Sequence, residues 1–288
     1  MFTAASVQPR TDSTIVVLLG TGVPRPDPAA AGPATAVVIG SRVFLFDAGA
    51  GVERQLVTAH LPINGVTALF VTHLHSDHTL GLPDLIFTSW VMGRTTPLAA
   101  YGPHGLRAMT DHIIAAWAED IAIRTDGLEH ETRAGYRVAV HEITPGVVYD
   151  SGGVKITAIP VSHGDWKEAY GYRIDTPDRS IVVSGDTRPS EALVAASRGV
   201  DVLIHEVYPA AKLAPEPRPG GADWPQYMRA SHTSDTELGR LAGTANPKLL
   251  ILYHVVKRNG ATDDEMLAEI RRSGFTGKAV IGKDLQRY

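Results

Sequence analysis

Thr72 is followed by His73-Leu74-His75-Ser76-Asp77-His78, three imidazoles and a carboxylate within one short turn. No other stretch constrains the fold of this chain so tightly. The apolar run Ala68-Leu69-Phe70-Val71 just before it reads as a buried strand. On an extended chain, residues two apart point to the same side, so His73, His75 and Asp77 converge. His78, one step later, reaches the other side of the same site if the chain turns there. Buried together without a cation, these groups would repel one another and lose solvation. The arrangement suits two adjacent metal ions better than one.

Four more apolar runs end in a candidate ligand. Ile156 to Ser162 runs into His163, Ile181 to Gly185 into Asp186, and Leu249 to Tyr253 into His254. Val202-Leu203-Ile204 ends at His205-Glu206. Short apolar runs of this kind are buried strands, and groups at their ends meet along one rim of a sheet. Any one of these histidines alone would read equally well as a hydrogen-bonded structural residue. The shared pattern beside the first cluster favours ligands.

With these residues in view, the chain resembles the metallo-β-lactamase fold family of metallohydrolases along nearly its whole length. The resemblance also rests on Leu19-Gly20-Thr21-Gly22, Phe46-Asp47-Ala48-Gly49, Ser184-Gly185-Asp186-Thr187 and His205-Glu206. Within the family the chain is most similar to the ribonuclease Z-like branch. Gly81 to Leu85, Thr88-Ser89-Trp90 and Tyr101-Gly102-Pro103 resemble an arylsulfatase-like group. The implied fold class is an α/β (αββα) sandwich: two mixed β-sheets packed face to face, with helices on both outer faces.

The resemblance implies a two-metal centre. His73, His75 and His163 would hold one ion, Asp77, His78 and His254 the other, and Asp186 would bridge them. All seven positions carry the expected residue types. His75 stands where oxygen-reducing di-iron members carry an acidic residue, which favours hydrolysis over redox chemistry. Nitrogen and oxygen donors without sulfur fit Zn²⁺ best, with Mn²⁺ or Fe²⁺ as alternatives. Two divalent ions a few ångströms apart share a water and lower its pKa, and the metal-bound hydroxide attacks phosphorus, sulfur or a carbonyl carbon. Asp77 both binds metal and orients the nucleophile. His232, in Ser231-His232-Thr233-Ser234, is the candidate acid for the leaving group, with Glu206 orienting it. The family's relay histidine precedes Ser-Thr, and here the order is swapped. The competing reading is that His232 caps a helix beginning near Asp235.

Other features bear less chemistry. Gly20-Thr21-Gly22 lacks the further glycine of a dinucleotide fingerprint and the lysine of a P-loop, so it reads as a tight turn. Asp47 reads as a partner of a ligating histidine or as a turn residue. His60, His104, His112, His130 and His141 match no ligand pattern. Trp166 and Tyr170 follow His163 closely and are candidates for either pocket lining or packing.

At 288 residues and 44% hydrophobic, the chain is long enough for one large core. It is read as a single domain over 1–288, with two αββα halves and a seam near residue 150. The stretch 88–127 reads as a helical insertion, with Leu106, Met109, Ile113, Ile114 and Trp117 at helical spacing, roofing the site or forming a dimer surface. Residues 208–230, with Trp224 and Tyr227, read as a long loop and a second candidate for substrate contact. Met1 to Ser13 reads as loose and unlike a secretory signal, and no window is apolar enough to span a membrane, so the expected compartment is the cytoplasm.

Charge bears on the substrate. Lys and Arg total 27 against 31 Asp and Glu, an acidic balance for a protein handling a large RNA. Ribonuclease Z carries a long arm for transfer RNA between the third and fourth ligand motifs. Here only 22 residues lie between His163 and Asp186, and Ala169 to Ile174 crosses them as a strand. The expected function is therefore a dinuclear hydrolase of small anionic esters, either phosphodiesters or aryl sulfates. The alternatives are a ribonuclease Z-type RNA 3′-processing endonuclease and a carboxyl ester or lactone hydrolase. A homodimer is the base-rate expectation of the branch.

Overall fold

A computed structural model describes residues 13–288. Almost all of the N-terminal segment read as loose lies outside the described residues. The first sheet holds, in spatial order, β1 (Thr14–Gly20), β2 (Ala34–Ile39), β3 (Arg42–Phe46), β4 (Val66–Phe70), β5 (Leu98–Gly102) and β6 (Val138–Glu142). The second holds β7 (Gly146–Ser151), β8 (Val154–Pro160), β9 (Tyr170–Asp175), β10 (Ser180–Val183), β11 (Val202–Val207), β12 (Leu249–Val255) and β13 (Lys278–Ile281). Each sheet begins antiparallel and becomes parallel, at β3 in the first and at β10 in the second. Both sheets are therefore mixed.

Burial on both faces explains the unbroken apolar runs in the sequence. In β1, Val17 and Leu19 pack outward, against α1 (Val52–Thr58) and α3 (Leu82–Val91). Val16 and Leu18 pack inward, against Ile174, Val183 and Ile251 of the second sheet. On the far side of the second sheet, Leu193, Leu238, Met266 and Ile270 come from α6 (Glu191–Ala196), α8 (Asp235–Ala245) and α9 (Asp263–Arg272). The result is the expected four-layer order: helices, sheet, sheet, helices. The chain's end lies beside β1, where Val16 and Tyr288 exchange backbone hydrogen bonds of 3.0 and 2.9 Å.

Two local expectations need correction. The 88–127 stretch is not wholly helical: β5 runs through it before α4 (Leu106–Ala116) and α5 (Ala118–Asp126). Leu98-Ala-Ala-Tyr-Gly has weak strand propensity, but pairing with β4 and β6 buries Leu98 and Ala100, and tertiary context wins. Residues 208–230 are not only loop, because α7 (Trp224–Ser231) starts there with Pro225 in its first turn. The Gly20-Thr21-Gly22 turn is held by Asp284, which accepts hydrogen bonds from Thr21 N and Oγ1 and from Ala31 N. Among the described residues no helix is long and apolar enough to cross a membrane.

One buried acid lies away from the strand rim, beside the exposed Asp84. Glu53 of α1 is almost wholly buried, and its Oε2 atom has no hydrogen-bond partner. Burial, then the Asp84 side chain of α3, raises its pKa to about 7. An acid whose pKa is raised by folding favours the fold below its unfolded value and loses that contribution as pH climbs through about 7. Glu53→Gln should therefore match the parent protein near pH 5 and exceed it at pH 8.5. With a discount for partial solvation the gain is about 1–2 kcal/mol, read as a rise of a few degrees in Tm. Equal melting curves at pH 8.5 would refute the raised pKa of Glu53.

Candidate metal centre

All candidate ligands lie at or just past the C-terminal ends of strands, where parallel strands open onto a common rim. β4 delivers the His73–His78 turn, which includes α2 (Ser76–Thr79), and β8 delivers His163. β10 delivers Asp186 through Gly185, whose φ of +59° a side chain would strain. A Cβ there would also stand 2.9 Å from Thr72 Cβ. His254 lies inside β12 with φ +44°, at an irregularity where Val255 pairs with Val207. Bulges of this kind re-aim side chains next to functional sites, and His254 leaves the ladder to face the rim.

Two donor sets form. His73, His75, His163 and Asp186 bring their donor atoms within 4.8 Å of one another, as do Asp77, His78 and His254. Asp186 adjoins both sets, 3.4 Å from His78 Nε2 and 3.6 Å from His254 Nε2. A third grouping, Asp186, His232 and His254, was not anticipated from sequence.

Hydrogen bonds fix which ring nitrogens are bare. Thr72 Oγ1 donates its one proton to Asp47 at 2.9 Å, so His73 Nδ1, 3.0 Å from that oxygen, must be the donor to it. His163 Nδ1 donates to the Ser231 carbonyl at 2.7 Å. Nε2 of His73 and of His163 are thus both bare, and lie 2.9 and 3.0 Å from His75 Nδ1. The Trp166 indole N–H donates to His75 Nε2 at 2.8 Å, which places the His75 proton on Nδ1, between the other two rings. One proton stands where three nitrogens meet, and a cation fits that place. Buried His78 Nε2 and Asp186 Oδ1 lack any hydrogen-bond partner, which the second set explains in the same way.

Electrostatics agree. Burial, then neighbouring imidazoles, holds His73 well below its ordinary value and His75 at about 4. Burial also lowers His163. These three rings are neutral at pH 7, as ligation requires. Burial opposes charge on Asp186, but His254 and His78 hold it well below the usual carboxylate range. Burial likewise opposes a charged His78, yet Asp186 and Asp47 raise it well above its ordinary value. Asp47 accepts from His78 Nδ1 at 2.8 Å and, through Thr72, steadies His73. It is a partner to the cluster rather than a turn residue alone.

His232 and Glu206 meet beside Asp186. Glu206 Oε1 accepts from Thr233 N at 2.9 Å, while its Oε2 stands 3.3 Å from His232 Nδ1. Burial lowers the His232 pKa, but the Glu206 carboxylate outweighs it and the net shift is upward. His232 does not cap α8: Ser234 does, in a capping box with Glu237. Trp166 touches His75, whereas Tyr170 is buried, with its hydroxyl on the Ile143 carbonyl.

The rings open into a cavity of about 600 Å³ lined by His75, Asp77, Asp186, His232 and His254. Its wall adds Arg25, Arg218, Asp223, Trp224, Tyr227 and Arg258. Of the two segments expected to contact substrate, 208–230 lines this cavity and 88–127 does not. The arginines had no sequence signal, being single residues on separate loops. The exposed His104 pairs with Glu142 at 3.2 Å, away from both donor sets.

A family model described as Beta-lactamase superfamily domain matches residues 42–255. Ribonuclease Z of Mycobacterium bovis (strain BCG / Pasteur 1173P2) is 33% identical over 277 residues, covering 94% of this chain and 96% of that protein. The metallo-beta-lactamase fold protein YhfI from Bacillus subtilis superposes with a TM-score of 0.74 at 21% identity, covering 96% of this chain and 99% of that one. Human tRNase Z, short form, does so with a TM-score of 0.70 at 22% identity, covering 95% and 98%. These similarities lend no support to the arylsulfatase-like expectation. The residues that suggested it, Leu82, Leu85 and Trp90 among them, fill the core beneath α3 and do not line the cavity.

Proposed function

The chain belongs to the β-lactamase superfamily as a hydrolase of the metallo-β-lactamase fold, and on that premise we propose a dinuclear phosphodiesterase that trims RNA at its 3′ side. His73, His75 and His163 would hold one ion, Asp77, His78 and His254 the other, with Asp186 shared. Two bound divalent ions, Zn²⁺ by donor type, would supply an activated water and positive charge for the phosphate oxygens. Asp77 orients the attacking water and takes up its proton. Glu206 Oε2, 3.3 Å from His232 Nδ1, would hold the ring once the two close to a hydrogen bond, so that Nε2 donates a proton to the leaving ribose oxygen as its bond to phosphorus breaks. Arg25, which lines the same cavity, would face a flanking phosphate.

The observation that carries the RNA reading is the near end-to-end similarity to a ribonuclease Z. An alignment of 277 positions covering 94% of this chain and 96% of the relative leaves no room there for an insertion of dozens of residues. The lack of an arm between His163 and Asp186 therefore does not set this chain apart from that relative. A second hollow of about 550 Å³ shares Val23, Arg25, Val256 and Arg258 with the first and adds Lys257, paired with Asp263, and Lys283 beside Asp27 and Asp284, room for more than one nucleotide. A second reading, hydrolysis of small phosphodiesters, is favoured by one feature: β9 and β10 fill the space between His163 and Asp186 as a plain hairpin.

The test is metal-reconstituted cleavage of an RNA with a 3′ extension beside bis(p-nitrophenyl) phosphate and a lactone. RNA cut at one position, with affinity falling steeply as salt rises, is the expected result. Turnover of the small diester with intact RNA would select the second reading.

A further inference from the structure

We propose that Tyr227, Trp224 and Arg218 form a stacking subsite for one nucleobase of the substrate, beside the scissile phosphate. The inference rests on the phosphodiester reading and adds the part of the nucleotide that the metal ligands do not touch.

The rings form a stepped wall leading out from the donor sets. His254 and His232 are stacked with centroids 6.1 Å apart. Tyr227 lies 5.7 Å beyond His232, and Trp224 stacks on Tyr227 at 5.4 Å with an interplanar angle of 28°. The guanidinium carbons of Arg218 and Arg258 stand 5.3 and 5.4 Å from the Trp224 centroid. Glu216 holds both guanidiniums, at 2.6 Å from Arg218 Nε and 3.0 Å from Arg258 Nε. Planar groups of both kinds are thus fixed along one side of the cavity.

Packing accounts for only part of this wall. Trp224 rests on Tyr208, Met228 and Val256. Tyr227 belongs to no core cluster and is 39% exposed, and the Arg218 side chain is 52% exposed. An aromatic ring left open at the mouth of a catalytic cavity, in a row whose next ring carries a guanidinium, matches how unpaired bases are held on proteins. Such stacking tolerates any base, because every base has a π face. The wall would therefore grip a 3′ end without reading its sequence.

The test compares AMP with ribose 5-phosphate, which carries the same phosphate and sugar but no base, on the metal-loaded full chain by calorimetry. AMP should bind roughly tenfold more tightly, as one stacked base allows. Tyr227→Ala, at an exposed helix position, should erase most of that gap, and Tyr227→Phe should keep it. Trp224→Leu, which retains apolar packing, should narrow it. Equal affinities in the parent protein, or a gap that survives Tyr227→Ala, would overturn the subsite. The same preparations are scored on the extended RNA. A base-dependent gap without RNA cleavage keeps the subsite and removes the RNA reading, whereas RNA cleavage without the gap removes the subsite alone.

Discussion

His78→Ala should leave a folded protein that binds one divalent ion per chain and turns over phosphodiesters at least about a thousandfold more slowly, a loss of about 4 kcal/mol in transition-state stabilisation. The residue is fully buried, with one ring nitrogen on Asp47 at 2.8 Å and the other 3.4 Å from Asp186. Its removal takes a donor from one set and leaves the other set complete. It also leaves Asp47 without one of its partners, at a cost of roughly 1–3 kcal/mol. Thr72 still donates twice to Asp47, so unfolding should remain cooperative at a lower temperature. Metal content by elemental analysis, circular dichroism and turnover on one preparation decide the matter. Two ions per chain, or full activity with one, would refute the dinuclear assignment.

His232→Ala should separate substrates by their leaving groups. A positioned general acid contributes about 10²–10⁴-fold when the leaving oxygen needs a proton, as a ribose oxygen does. A p-nitrophenolate leaves without one. The variant should thus lose about 10²–10⁴-fold on RNA and less than about tenfold on bis(p-nitrophenyl) phosphate. Both ions should stay bound, which tests the competing geometry, since His232 also groups with Asp186 and His254 as a candidate donor. Equal losses on both substrates together with a missing ion would make His232 a ligand rather than an acid. Glu206→Gln should show the same leaving-group split in weaker form, because it loosens the ring without removing it.

The donor sets were legible in the sequence because their residues either sit together, from His73 to His78, or end apolar runs. Both signals survive folding, since a strand carries its last residues to a fixed rim. The approach of Glu206 to His232 was expected from the resemblance, though not from spacing, because the chain wanders between β11 and α8. Of the cavity wall, Trp224 and Tyr227 lay in a segment expected to contact substrate, but the arginines were not legible. Arg25, Arg218 and Arg258 are lone residues whose meeting depends on three separate loops. β5 escaped notice because Ala99 and Ala100 carry no strand signal and only its parallel neighbours impose one. α7 had a readable start in Pro225 that the surrounding Pro- and Gly-rich composition masked. The substrate class followed the same pattern: net charge and a missing arm favoured small esters, while the full-length relative favours RNA.

Each donor set draws from both sheets. His73 and His75 of the first set, and Asp77 and His78 of the second, follow β4, whereas His163, Asp186 and His254 come from the second sheet. Neither half of the molecule contains a complete set. The chain is made from its N-terminus, so a nascent polypeptide that already displays His73 to His78 still has nothing with which to close either set. The first set waits for Asp186 and the second for His254, the last of the seven candidate ligands along the chain. A chain that stops short of His254 thus holds at most the first set.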